Sequence, residues 1–483
     1  MSQYPGIVTS ELESRVYGCW LGKSIGGTLG LPAEGKTARL NFTFYDPIPT
    51  IAPPNDDLEL QLVWLHLVEQ SGAELTGADF AKGWLDHIHY MWDEYGRCRW
   101  NLRRGVSPEA AGRFENWFHA GMGSPIRSEI WACLFPGDPA SAAYYAALDA
   151  TLDHGVEGIT GEVLFAVMQN LVLSGVDVGS AIVVALGRIP KETETARAVQ
   201  LILDDQAEGV EAWASREHLL AAHGNSNFTH APLNVALTIW ALVHGGGDFE
   251  ASILLAANGG YDTDCTAATV GATLGLAIGA SSIPPRWIEP IGEGVYIGPG
   301  IQEINAAATL GELTARTLKL VGKLDRKTWD DVPWPGQIHY PSLESLPGTI
   351  YLRPLDGTDP VPWANCELPA SVLRAGGAEW DWEVPEPAQT RRLIVLARAG
   401  ARLVMDGEEV FTCPPGLPFM PATHRCPPAS VLKLTPTPGR HRLRLELAVQ
   451  DTEQEAAVLL CYPNRQLAPW TAAELPHPAN LPA

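Results

Sequence analysis

The chain has 483 residues and carries 56 Asp and Glu against 33 Lys and Arg, a formal net charge of −23. That balance excludes a general grip on the nucleic-acid backbone, which needs clustered positive charge to displace counterions. The length exceeds one ordinary hydrophobic core and predicts two domains.

Residues 1–6 lack the basic and apolar stretches of a secretory leader. The eight cysteines (19, 98, 133, 265, 366, 413, 426, 461) form no Cys-x-x-Cys pair, as expected of a reduced cytoplasmic protein without a disulfide framework. The stretch from Arg15 reads as a helix dense in small residues that stops near Pro32, leaving Glu34 just beyond its end. A lone glutamate after a helix means little, and Glu34 gains interest only beside other acids. Pro53-Pro54-Asn55-Asp56-Asp57-Leu58-Glu59 follows the order breaker, adjacent carboxylates, apolar helix. Asp56 and Glu59 fit a capping box, yet two adjacent carboxylates exceed what a cap needs. From about Ala78 to Tyr95 the aromatics Trp84, Trp92 and Tyr95 recur at helical spacing, a core pattern. The loop Gly121-Met122-Gly123-Ser124 lets backbone amides approach a ligand, and Arg127 beyond it can meet a phosphate or a carboxylate. Alanine-rich helices run on to about residue 222 and include His154, either a ligand contact or a packed helix-end histidine.

A further helix from Phe228 leads to Asn258-Gly259-Gly260-Tyr261-Asp262-Thr263-Asp264-Cys265, where a glycine turn delivers two carboxylates onto the start of an apolar helix. From Cys265 to Pro285 no side chain is charged, and Gly271, Gly275 and Gly279 leave one helix face nearly flat for close packing. The run is long enough to span a bilayer, but it is weakly apolar and has acids at its mouth, so a buried core helix is the better reading. Asp262 can be a simple helix cap. A second acidic pair at Asp56 and Asp57 brings four anions toward one interior, which requires a cation. Hard oxygen donors suit Mg²⁺, Mn²⁺ or Ca²⁺ and not zinc.

After about Asp330, prolines and period-two alternation replace helical spacing, most cleanly at Arg442-Leu443-Arg444-Leu445-Glu446-Leu447. Asp406-Gly407 and Pro438-Gly439 read as hairpin turns. The division is then a helical domain over 1–330 that carries the candidate metal site, a linker over 331–345 and a β-sandwich over 346–483. Trp380 and Trp382 are read as exposed, able to stack on a sugar or to form an interdomain or dimer contact. Leu403 to Val410 with Pro438 to Leu443 weakly resembles the jelly-roll modules appended to carbohydrate enzymes.

In chain order, Gly18 to Glu34, Asn55-Asp56-Asp57, Gly121 to Ser124 with Arg127, and Gly260 to Asp264 resemble four motifs of the ADP-ribosylglycohydrolase family. These are an opening glycine-rich helix ending in Pro-x-Glu, a Thr/Ser-Asp-Asp metal motif, a Gly-Asn-Gly substrate loop and a Gly-x-Asp-Thr-Asp motif. The resemblance extends over roughly residues 12–325. It implies an all-α ADP-ribosylglycohydrolase-like domain, here followed by the all-β, jelly-roll-like sandwich, with one or two Mg²⁺ or Mn²⁺ ions at its centre. The implied metal residues are Asn55, Asp56, Asp57, Asp262, Asp264 and, at a position where the family has threonine, Cys265. Gly121, Met122, Gly123, Ser124, Arg127 and His154 are the substrate-binding candidates, and Glu34, Asp57 and Asp264 the acid/base candidates. Departures are Asn55 for threonine, Gly27 for an aspartate, Leu58 for threonine and the soft Cys265, which put one of two ions in doubt. The implied activity is metal-assisted hydrolysis of a C1 glycosidic bond in an ADP-ribosyl or related ribosyl conjugate, possibly protein-linked, with no nucleic-acid or membrane partner. The alternatives are a glycosidase or nucleosidase acting on a smaller sugar conjugate, and a non-catalytic binder of ADP-ribose or sugar.

Overall fold

The computed structural model describes residues 9–336, 340–472 and 475; the leader reading of residues 1–6 lies outside them, as does part of the 331–345 linker. The chain forms two compact units, one taking the chain up to His89 and from His119 to Gly336, the other Tyr90–Phe118 and the chain beyond Gly336.

Helices α1 (Ser10–Gly30), α2 (Asp56–Gln70) and α3 (Gly77–Asp86) open the first unit, while α4 (Asp93–Arg103) and α5 (Pro108–Ala111) belong to the second. The first unit continues with α6 (Glu129–Leu134), α7 (Pro139–Ala150), α8 (Val156–Leu173), α9 (Val178–Leu186), α10 (Glu194–Ala207) and α11 (Ala212–His223). It ends with α12 (Ala231–His244), α13 (Phe249–Gly259), α14 (Thr263–Ile278), α15 (Pro285–Ile288) and α16 (Leu310–Lys319). Its centre is the antiparallel crossing of α1 and α14. Glycine inside a helix costs about 1 kcal/mol relative to alanine, and packing has to offset that at several positions of α1. Gly18, Gly22, Gly26 and Gly30 abut Gly275, Gly271, Ala267 and Thr263, and a Cβ on any of the four glycines would strike the facing backbone carbonyl. The flat face expected of α14 therefore meets an equally flat face of α1. Because the crossing is antiparallel, the start of α14 lies at the end of α1, which brings Asp262 and Asp264 toward Glu34. Helix α8 is long and apolar enough to cross a membrane, yet 83% of it is buried within the fold.

The second unit holds two antiparallel sheets built from β1 (Ile350–Pro354), β2 (Val361–Trp363), β3 (Gly377–Val384), β4 (Arg391–Ala397), β5 (Ala401–Met405), β6 (Glu408–Cys413), β7 (Val431–Leu434), β8 (Gly439–Leu447) and β9 (Ala456–Cys461). One sheet has the order β2-β1-β3-β8-β5-β6 and the other β7-β4-β9. Leu443, Leu445 and Leu447 of β8 point into a shared core with Leu393, Val395 and Val458 of the smaller sheet, while Arg442, Arg444 and Glu446 alternate outward. Asp406 and Gly407 form the β5–β6 turn, both with φ in the left-handed region at 53° and 91°. Pro438-Gly439 is no hairpin: β7 and β8 lie in different sheets, and Gly439 pairs with Val384.

Two aromatic readings are corrected. Trp380 and Trp382 are each only 1% exposed. Their period-two spacing puts both on the inner face of β3, where they pack against Trp470. Strand β4 is buried on both faces, and its outer residues Ile394 and Leu396 are covered by Trp100 and Trp117 of the 90–118 segment. That cover explains why the segment belongs to the sheet unit.

Candidate functional site

Each acidic turn is fixed by local bonding. Gly260 and Tyr261 both take positive φ, 77° and 69°, and a Cβ on Gly260 would come within 2.7 Å of the Lys36 and Ala38 carbonyls. This close approach lets Tyr261 N–H donate to Lys36 O at 2.8 Å and Gly35 N–H donate to Tyr261 O at 2.9 Å, latching the Glu34 turn to the Asp262 turn. Asp262 holds the N-cap position of α14, yet its side chain makes no cap hydrogen bond. The bond that orients it is its own N–H, donated to Asn234 Oδ1 at 3.1 Å. Asn234 is held in turn by donating to the Phe228 and His230 carbonyls at 2.7 and 2.9 Å. The carboxylate of Asp262 is thus left for something other than capping.

On the facing side, Asn55 caps α2 with Oδ1, which accepts from Asp57 N–H at 2.8 Å, while Nδ2 donates to Asp264 Oδ2 at 3.2 Å. The amide therefore presents its N–H to the cluster and spends its oxygen on the cap. The capping box read at Asp56 and Glu59 is corrected, because the N-cap of α2 is Asn55 and Glu59 accepts from Gly298 N–H.

Two overlapping groups result, Glu34–Asp262–Asp264 and Asp57–Asp264–Cys265, each with one ligand atom per residue within 4.8 Å of the others. Asp57, Asp262, Asp264 and Cys265 are buried and Glu34 is exposed. Both oxygens of Asp57 and Oδ1 of Asp264 are buried without a hydrogen-bond donor. Burial is the first cause that lifts Asp57 and Asp264 to about 7; Lys23 pulls Asp57 back down, and Glu34 adds to the rise at Asp264. Asp56 and Asp262 are pushed well above the usual carboxylate range, first by burial and then by Asp57 and Asp264 respectively. Burial and then Asp262 push the Cys265 thiol up. Buried, donor-starved carboxylate oxygens of this kind fit a hard divalent cation.

The glycine loop serves a different purpose from the one expected. Gly121 pairs with His230 in an isolated bridge, and Met122 and Ser124 are buried. The Gly123 carbonyl accepts from Arg127 Nη1 at 2.8 Å. Arg127 is fully buried and ion-paired to Asp149 at 2.8 Å and Asp153 at 2.7 Å. The arginine does meet carboxylates, but they are the protein's own, which corrects its reading as a substrate contact. His154 is buried with Nδ1 2.9 Å from Asp153 Oδ1, on the packed side of the two readings open to it.

Residues that the pattern did not single out complete the surroundings. Lys23 is 1% exposed; its Nζ donates to both Glu129 oxygens at 3.0 and 3.1 Å and lies 3.5 Å from Asp57 Oδ1. Although burial opposes its charge, Glu129 and Asp57 outweigh that and raise its pKa. Gln61 donates to Glu129 Oε2 at 2.9 Å. The only signal for Lys23 was a charged residue amid the small residues of α1. Its chief partner Glu129 is 106 residues away, beyond the reach of local spacing.

Comparison with known proteins places these features. A family model described as ADP-ribosylglycohydrolase matches residues 8–321. An uncharacterized protein of Archaeoglobus fulgidus is 24% identical over 329 residues, which span 64% of this chain and 100% of that protein. The ADP-ribosylarginine hydrolase Tri1 of Pseudomonas putida is 38% identical over 78 residues, only 16% of this chain and 21% of that protein. Among solved structures, an ADP-ribosylglycohydrolase-related protein complex aligns over 65% of this chain and 99% of its own, at 21% identity and a TM-score of 0.42.

Proposed function

The chain belongs to the ADP-ribosylglycohydrolase family, and from that premise we propose that it hydrolyses the C1 glycosidic bond of an ADP-ribosyl or related ribosyl conjugate with the help of Mg²⁺ or Mn²⁺. Family membership supports glycohydrolase activity on ADP-ribose conjugates. The observation that supports the metal dependence is the pair of overlapping groups, Glu34–Asp262–Asp264 and Asp57–Asp264–Cys265, joined at Asp264, whose Oδ1 is buried without a hydrogen-bond donor. When bound, such an ion polarises a sugar hydroxyl or the attacking water and lowers the proton affinity of that water.

The chain's own residues do the rest. Asp262 and Asp264 are pinned at the start of α14 by the glycine crossing and by Asn234, so they enter the site already oriented. Glu34, the exposed member, can exchange a proton with solvent, and we assign it the role of taking the proton of the attacking water. Burial of Asp57 and Asp264 keeps water away from the reacting carbon's neighbourhood and strengthens every charge interaction there. The proposed catalytic residues lie in the helical unit, and the domain over 346–483 is read as an accessory part. With Trp380 and Trp382 buried, their reading as a surface that stacks on a sugar loses its basis.

The test is release of product from ADP-ribosyl-arginine, ADP-ribosyl-serine, nucleosides and aryl ribosides with added Mg²⁺ or Mn²⁺ and with chelator. ADP-ribosyl-arginine is the first to try, because the short match to Tri1 is to a protein named for that substrate. Cleavage of an ADP-ribosyl conjugate that stops with chelator supports the proposal. Cleavage of nucleosides alone moves the reading to a nucleosidase, and binding without cleavage moves it to a binding protein.

A further inference from the structure

The two acidic groups share Asp264 but differ in what already faces them. Glu34–Asp262–Asp264 offers only carboxylate oxygens and opens to solvent through Glu34. Asp57–Asp264–Cys265 includes a thiol, a poor donor for a hard cation. It is also the group that a positive charge faces. The Lys23 ammonium stands 3.5 Å from Asp57 Oδ1, while Asn55 Nδ2 donates to Oδ2 of the shared Asp264 at 3.2 Å.

Lys23 cannot swing away. It is 1% exposed, bonded to both Glu129 oxygens and to the Ile126 carbonyl, and Glu129 is held in turn by Gln61 and Gln169. Gly27, one turn after Lys23 on α1, completes the arrangement: a Cβ there would lie 3.3 Å from Asn55 Nδ2, so its absence leaves room for that amide. Lys23 shares its charge with Glu129, so the carboxylates are not neutralised, but an ammonium 3.5 Å from Asp57 would repel a cation placed beside that oxygen, and the Cys265 sulfur would hold a hard one poorly.

Building on the metal-dependent reading, we propose that Lys23 is a built-in cation standing in for one divalent ion, so that the chain holds a single Mg²⁺ or Mn²⁺ on Glu34, Asp262 and Asp264. Asp57 is then a positioning residue: paired with Lys23, it anchors the start of α2 beside the ion and does not share it.

The experiment is ion counting on the full chain at neutral pH, by elemental analysis after dialysis and by calorimetric titration with Mn²⁺ and Mg²⁺, with circular dichroism as the check on folding. The native chain is expected to take up one ion. Glu34→Gln should weaken it by about tenfold or more, on the order seen for loss of one metal-site contact, while Asp57→Asn should change its affinity by less than about threefold. Lys23→Met, which keeps the length of the side chain and removes its charge, should raise the count to two. If Lys23→Met does not fold, the native count and the contrast between Glu34→Gln and Asp57→Asn still decide the matter. Two ions in the native chain would overturn the inference and leave metal-dependent hydrolysis standing. One ion lost with Asp57→Asn but kept with Glu34→Gln would do the same. No ion at all would overturn both.

Discussion

The helical unit and the sheet unit bury charge of different sign. In the helical unit carboxylates gather inside, among them Asp57, Glu129, Asp149, Glu162 and Asp264, with Lys23 and Arg127 between them. In the sheet unit the buried charges are chiefly arginines, Arg97, Arg104 and Arg391, beside Glu94. Arg97 and Arg104 donate to the Asn365 and Pro347 carbonyls, the strand ion pairs Arg402 with Glu446, Arg444 with Glu379 and Arg440 with Asp381 face outward, and the core between the sheets is filled by Trp363, Trp380, Trp382 and Trp470. Surface pairs contribute little, about 0–1 kcal/mol each, and burying charge is costly unless every partner is present. A buried arginine finds its partners in backbone carbonyls, whereas converging buried carboxylates call for a cation, and for that reason the proposed chemistry falls in the helical unit.

The sharpest way to break that contrast is to remove one buried anion. Asp262→Asn or Asp264→Asn is expected to lower turnover more than about a hundredfold with a far-ultraviolet spectrum unchanged, because each deletes a charge from a point where several converge. Near-normal activity and metal binding in either variant would show that the cluster is only structural. The counterpart in the sheet unit is Trp380→Ala, expected to destabilise by about 3–5 kcal/mol in denaturant unfolding while kcat and KM stay as they were. A fall in kcat at a temperature where the variant is folded would mean that the sheet unit shapes the site.

The contrast also explains what the amino-acid order made readable. Glycine every fourth residue on α14 and acids after a breaker are local patterns, so the flat face of α14 and the Asp262 and Asp264 turn could be read from spacing, whereas its partner α1 could not be named. The alternation of β8 was equally plain, since one face is wet and the other dry. Buried charge is paired across long separations: Lys23 meets Glu129, and Arg127 meets Asp149 and Asp153 on the following helical stretch. No period announces such pairs, and a charged side chain is placed on the surface by default. Strand β4 alternates only loosely from Arg392 to Leu396 for the converse reason, that burial of both strand faces blurs the period, and only the fold shows that Trp100 and Trp117 cover it. The tryptophans of β3 show the limit again, because period two says that Trp380 and Trp382 share a face and not which one.

A smaller effect sharpens the comparison through pH. In the metal-free chain Asp57 and Asp264 are held up at about 7, whereas an unfolded aspartate titrates near about 4. Between those values the folded chain holds protons that the unfolded chain has released, so stability falls as pH rises through that window. Melting in chelator should therefore occur at lower temperature at about pH 8 than at about pH 5, and saturating Mn²⁺ should remove most of the difference by taking the place of the protons. A melting temperature independent of pH in chelator would show that these carboxyls are not strained by burial.

The smallest effect is expected at Cys265. It lies in the Asp57–Asp264–Cys265 group, on the side of the cluster that Lys23 faces, so in the single-ion arrangement its sulfur does not touch the ion. Cys265→Thr should then leave native Mn²⁺ and Mg²⁺ affinity within about threefold, even though a hydroxyl is the better donor for hard cations. The same substitution placed on Lys23→Met should matter more. With the ammonium gone, a second ion can enter, and a threonine oxygen in place of the thiol should let that second site take Mg²⁺ as readily as Mn²⁺. Calorimetric titration of the native chain, the two single variants and the double variant measures the coupling directly. If Cys265→Thr alone shifts the native ion toward Mg²⁺, the sulfur faces that ion and the ion sits between Asp57 and Asp264, where Lys23 would have to tolerate it.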